Sequence, residues 1–200
     1  MVAIGQAPGD LAVVQRFVNT LDIEESTDEL TSPAALAEWL GRAGLLDGGN
    51  PSAADLRLAI DLREALRGVL RAHAGHGTVG EPAAALARIA AGLRARPEVG
   101  SDGSVRVVTA GEGVRPALAR ILLVAAEATS LGTWSRLKAC SADDCQWAFY
   151  DRSPTANACW CSMQICGSRS KSRAYRQRSA AGAAAPARAS RAGRTAAPGA

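Results

Sequence analysis

The sequence predicts a mainly α chain of α+β character: a helical N-terminal domain with a small β-hairpin, then a small cysteine-bearing module with a C-terminal basic helix. Three observations predict it. Apolar residues recur at helical spacing through most of the chain before Cys140. One short run, Val105, Val107 and Val108, breaks that period and reads as a strand. Cys140, Cys145, Cys161 and Cys166 stand in two pairs of equal gap, and the chain beyond them carries bases without acids.

The elements follow in order. The first ten residues lack a pattern. Leu11, Val14, Val18 and Leu21 predict a helix from Asp10 to Leu21. Ser32-Pro33 opens a short helix carrying Leu36, Trp39 and Leu40, because proline at the first helical position sacrifices no hydrogen bond. A long helix is expected from Pro51 to Ala74, with Ser52 as N-cap and Asp55 three residues on. Its inner stripe is Leu56, Ala59, Ile60, Leu66 and Leu70; Arg57, Asp61, Glu64 and Arg71 face outward. Gly75 and Gly77 stop it, and another helix runs from Pro82 to Arg94. The Val105 strand pairs with the segment near Val99 through the Asp102-Gly103 turn. A last long helix covers Pro116 to Leu131, with Leu118, Ile121, Leu122, Ala125 and Ala126 inside. Residues 179–200 hold only Ala, Gly, Pro, Arg, Ser and Thr, a composition expected to form a disordered basic tail.

Charge divides the chain. The net charge of +4 conceals an acidic body, because Asp151 is the last acid and nine bases follow it. That distribution suits a protein in which one module meets a polyanion. No stretch reaches the roughly 18 uncharged apolar residues of a membrane span. The N-terminus, MVAIGQAPGD, has neither the basic start nor the apolar core of a secretory signal, so a cytoplasmic location is expected. Thiols there stay reduced, which favours metal over disulfide.

Two C-x4-C pairs fifteen residues apart can converge on one tetrahedral ion, and zinc is the usual occupant. Cys159 competes with Cys161, but only Cys161 preserves the symmetric spacing. The expected cofactor is therefore one structural Zn2+ on Cys140, Cys145, Cys161 and Cys166, with Cys159 a spare thiol. Trp147, Phe149, Tyr150 and Trp160 would pack as the module's small core. His73 and His76, at a glycine-rich helix end, read as exposed polar residues rather than ligands.

The segment C-SADD-C-QWAFYDRS…WC-SMQI-C-GSRSKSRAYRQR resembles the CGNR-type zinc finger of bacterial transcription regulators. RFVNTLD, the Trp39 helix and the following LREALRGVL helix are similar to the mainly helical ABATE domain that precedes this finger. The resemblance implies an ABATE-like domain at 10–137 and a CGNR-like finger at 138–178. It also implies the same four cysteine ligands. The family's last pair reads C-G-N-R, whereas here Cys166, Gly167, Ser168 and Arg169 follow one another. The Asn and Arg residues typical of the preceding loop are replaced by Pro154, Thr155, Ala156, Asn157, Ala158 and Cys159.

The expected function is transcription regulation through DNA binding. As a helix, residues 162–178 place Arg169, Arg173 and Arg176 on one stripe, with Lys171, Tyr175 and Arg178 opposite. These five cations are the candidate nucleic-acid contacts, to DNA or alternatively RNA. The N-terminal domain would sense a small-molecule ligand or form a homodimer. Asn19 and Thr20 either line its pocket or brace helices. The alternative is a zinc-stapled protein-interaction module, in which acids of the body engage Arg169, Arg173 and Arg176. Catalysis is not expected, since G-x-S-x-G, G-x-x-x-x-G-K-[ST], H-E-x-x-H and the zinc-deaminase pattern are all missing from the sequence.

Overall fold

The computed structural model describes residues 5–109 and 111–183. Six helices and three two-stranded antiparallel hairpins make it mainly α with small β elements among these residues. Helix α1 spans Leu11–Val18 and ends earlier than its apolar spacing suggests, because Leu21 turns into β1 (Leu21–Asp22), which pairs with β2 (Thr27–Asp28). Helix α2 covers Pro33–Arg42; Ser32 Oγ accepts the Ala35 amide at 3.1 Å. Helix α3 covers Ala53–His73 and opens on a reciprocal cap. Ser52 Oγ accepts the Asp55 amide, and the Asp55 carboxylate accepts the Ser52 amide at 2.9 Å.

Helix α4 (Gly80–Ala91) lies against α3, and Gly68 permits the approach. A Cβ there would stand 2.6 Å from Pro82 Cγ and 2.9 Å from Pro82 Cβ. Proline cannot swing aside, so Gly68→Ala should displace α4 and cost about 1–3 kcal/mol. A lowered urea midpoint at unchanged slope would measure the effect. The expected hairpin is present as β3 (Ala95–Val99) and β4 (Val105–Thr109), with Val99 opposite Val105. Helix α5 spans Val114–Ser130, burying Leu118, Ile121 and Ala125; Ala126 is exposed rather than inside.

Strands β5 (Leu137–Ala139) and β6 (Ala148–Tyr150) form the third hairpin. They supply Leu137, Ala139, Ala148 and Tyr150 to the same apolar core as Val14, Phe17, Leu36, Leu66, Leu118 and Ile121. The cysteine-bearing module therefore has only a small cluster of its own, around Cys140, Cys145 and Cys166. Its hairpin fills the core of the helical body, and the aromatic residues divide accordingly. Tyr150 joins the main core, while Trp147 and Trp160 pack against the cysteines.

Residues 5–7, expected to be loose, are tied down. The Tyr150 amide donates to Gly5 O at 2.8 Å, and the Ala7 amide donates to Gln15 Oε1 at 2.7 Å. Helix α3 also departs from a simple amphipathic stripe, because Arg63 and Arg67 are 3% and 2% exposed. Arg63 makes a two-point bond to Asp28 at 2.7 and 2.9 Å and donates to Thr20 Oγ1. Helix α6 spans Ser168–Ala183. Residues 179–183, expected within a disordered tail, are thus helical; the rest of that tail, 184–200, lies outside the described residues. No described helix is long and apolar enough to cross a membrane.

Candidate metal centre and nucleic-acid interface

The hairpin presents the first cysteine pair. Cys140 leaves β5, and its amide donates to Trp147 O at 3.0 Å, closing the ladder across the knuckle. Inside that loop the Cys145 and Gln146 amides both donate to Ala142 O. Gln146 takes a left-handed backbone conformation (φ 53°) to complete the turn. Ser141's amide donates to Cys159 O at 2.9 Å, which holds the second pair against the first. Cys161 then precedes a π-helical turn, Met163–Gly167, capped by Ser162, whose Oγ accepts the Ile165 amide. A Cβ at Gly167 would lie 2.6 Å from Met163 Sδ, the end of an exposed, flexible side chain that can move aside. Ser168, in place of the family's Asn, donates its hydroxyl to Met163 O at 3.3 Å and fastens the end of the turn.

The four sulfurs of Cys140, Cys145, Cys161 and Cys166 lie within 4.8 Å of one another. Cys145 Sγ stands 3.6 Å from Cys161 Sγ, which stands 3.7 Å from Cys166 Sγ. Sulfurs about 2.3 Å from a tetrahedral zinc are separated by about 3.8 Å, so the cage fits the ion. Charge points the same way. Thiol hydrogen bonds from Cys145 and Cys161 pull Cys140 down to about 2, while Cys145 is pushed up to about 12 by its hydrogen bond to Cys140. Cys161 is pushed up by the same neighbours. Thiolates this close repel one another, and a divalent cation lets all four ionise. The bound zinc would supply a closed, four-thiolate cross-link, the arrangement of a structural site.

Cys159 stands outside this cage, half-buried, and contributes its backbone carbonyl instead. His73 is also not the exposed end expected. It is half-buried, its Nδ1–H donates to Leu137 O at 2.9 Å, and its ring meets Trp134 edge-on. Burial, the leading effect, lowers its pKa and favours the neutral ring.

The body grips the cage's scaffold through polar side chains, of which Arg67 is buried and Arg71 and Asn19 are half-buried. Arg67 donates to Val18 O at 2.8 Å, Leu21 O at 3.3 Å and, across to the knuckle, Gln146 O at 3.1 Å. Arg71 reaches Asp143 at 2.6 Å. Asn19 pairs with Ala148 as a strand would, accepting its amide at 2.7 Å and donating to its carbonyl at 3.0 Å. Asn19 also borders a cleft of ≈ 530 Å³ with Arg16, Trp39, Arg42 and Trp147. Thr20 lies away from that cleft, buried, with its hydroxyl donating to Phe17 O.

The loop lacking the family's basic residues folds around Lys138. This buried ammonium donates to Asp151 Oδ2 at 2.9 Å, Ala156 O at 2.6 Å and Ala158 O at 3.1 Å. Helix α6 starts directly behind Cys166, so the cage fixes its root. Arg169 pairs with Glu24, and Arg173 pairs with Asp144. Lys171, Tyr175, Arg176 and Arg178 are exposed, and no described carboxylate lies within salt-bridge distance of the three cations.

A family model described as "ABATE: Putative stress-induced transcription regulator" matches residues 11–133. A second, "CGNR zinc finger", matches residues 136–179. A comparison with curated proteins gave no match. The first match covers more than half of the chain and the second spans the four-cysteine cage, so the chain belongs to the ABATE family and carries a CGNR zinc finger.

Proposed function

We propose that the protein regulates transcription by binding DNA through α6, and that the zinc cage sets this helix at a fixed angle to the body. The observation that carries this reading is the helix itself. Five cations between Arg169 and Arg178, with no acid among them, stand on a helix that begins directly behind the four-cysteine cage. Phosphate contacts would position the helix, and a helix of this width fits the major groove. The N-terminal domain would sense a ligand or dimerise, and the protein would act by binding rather than catalysis.

The zinc-loaded chain should bind a short random-sequence duplex in an anisotropy titration, with affinity falling as salt rises. Lys171→Ala with Arg178→Ala should weaken it by about ten-fold or more at low salt, since each lost phosphate contact removes about 0.9 from the salt slope. Absence of binding at low salt with zinc bound would rule the reading out. A protein-interaction role has one observation in its favour: Arg169 already engages Glu24 of the body, while Arg173 engages Asp144 of the finger itself. That role extends no such engagement to Arg176, and a partner pull-down unchanged by Arg169, Arg173 and Arg176→Ala would count against it.

A further inference from the structure

Among the five cations of α6, two are already committed and three are not. At about 100° per residue, Arg173 lies about 40° round the helix from Arg169, so both face the body. Lys171 and Arg178 lie about 200° and 180° away, on the outer side with Tyr175. Arg176 returns to the inner side but about 10 Å further along the axis, beyond the reach of the acids at the root.

Those acids come from two places. Glu24 belongs to the turn joining β1 to β2, in the N-terminal domain. The turn is held from the core, because β2 ends at Asp28, whose carboxylate is gripped by the buried Arg63 at 2.7 and 2.9 Å. Asp144 belongs to the knuckle between Cys140 and Cys145. It takes Arg173 on both oxygens and lies 4.0 Å from Arg169. A carboxylate pair facing two guanidinium groups offers the fork geometry that a phosphate would otherwise offer.

We infer that the nucleic-acid surface of α6 is its outer face, Lys171, Tyr175 and Arg178, together with Arg176 beyond the root, and that Glu24 and Asp144 act as internal phosphate mimics that withhold Arg169 and Arg173. This deepens the DNA-binding reading and rests on it. The N-terminal domain thereby acts directly on the helix: Glu24 is its only described residue in salt-bridge contact with α6. Any movement of the β1–β2 turn releases a further cation to the phosphate backbone. The preferred partner is a polyanion with regularly spaced phosphates, and Tyr175, 67% exposed between cations, is placed to stack on a base or bond a phosphate.

The salt slope counts the phosphates neutralised and so tests the inference on the full-length, zinc-loaded chain. With three cations engaged, log K against log salt should have a slope of about −2.7; with five, about −4.5. Wild type should give the shallower value. Glu24→Gln with Asp144→Asn should give the steeper one and bind a random-sequence duplex about ten-fold more tightly at low salt, each exposed pair being worth a few-fold. Asp144 neighbours a metal ligand, so zinc content is measured in parallel. Glu24→Gln alone, away from the cage, should steepen the slope by about 0.9. Equal slopes in wild type and variants would overturn the inference while leaving DNA binding standing. Weaker binding in the variants would also overturn it, by showing that the pairs orient the helix for contact. If neither wild type nor variant binds, the DNA reading and this inference fall together.

Discussion

Replacing Cys166 with alanine should abolish zinc binding and disrupt the fold well beyond the finger, whereas Cys159→Ala should retain one zinc per chain. The reason lies in where the hairpin sits. A structural zinc contributes about 10–16 kcal/mol of apparent binding energy, comparable to the whole stability of a domain at about 5–15 kcal/mol. In a free-standing finger that loss would stay local. Here the knuckle closes β5–β6, whose Leu137, Ala139, Ala148 and Tyr150 occupy the body's core, and Arg67 ties Gln146 O to Val18 O. Metal removal should therefore lower the far-UV helical signal of the body as well as the metal content. Metal analysis with circular dichroism on both variants and on chelator-treated wild type checks this. Comparable zinc loss in Cys159→Ala would show that Cys159, and not Cys161, completes the cage. Zinc loss from Cys166→Ala with an unmoved unfolding midpoint would show that the hairpin folds without the ion.

The metal site was largely legible in the sequence because ligand spacing is a local property. Cys140 and Cys145 bracket one tight knuckle, Cys161 and Cys166 one helical turn, and both are built from neighbouring residues. The same holds for the Ser32 and Ser52 caps and for the β3–β4 hairpin, whose turn is written in Asp102-Gly103. Strands β5 and β6 were not legible. Each is three residues long, and their pairing is completed by Asn19 and Gln15, far away in sequence. Nothing local singles out Arg63 and Arg67; their role emerges only when Asp28 and the carbonyls of Val18, Leu21 and Gln146 are placed round them. The stripe of Arg169 and Arg173 was visible, but not that it faces the body, because Glu24 lies 145 residues away. Helical periodicity identifies which residues share a face; only tertiary placement says what that face meets.

Away from the metal ligands, the buried pair of Lys138 and Asp151 should carry a large side-chain effect on stability. Both are buried, 2% exposed, and the carboxylate is fully engaged: Oδ1 accepts the Ser153 amide and hydroxyl, Oδ2 the Lys138 ammonium and Ala158 amide. Lys138→Met strands that carboxylate and leaves the Ala156 and Ala158 carbonyls without their donor. A loss of about 3–5 kcal/mol is expected, the range for breaking one side of a buried ion pair. The double variant Lys138→Met, Asp151→Asn should lose less than the sum of the singles, because the two groups share one network. Urea midpoints at neutral pH provide the comparison. Acid offers an independent check. Burial pushes the Asp151 carboxyl up, but Ser153, Lys138 and Ala158 together outweigh it and hold the group well below its ordinary 3.8. The unfolded chain then binds the proton first. The stabilisation is complete above 3.8 and drains away as pH falls from there towards the lower folded value. Wild type should lose stability steeply through that acidic window, and Lys138→Met, lacking one of the groups that depress the carboxyl, should lose it over a narrower one. Equal acid dependence in both would mean that the Ser153 and Ala158 donors alone fix the carboxylate, and that Lys138 serves the loop carbonyls instead.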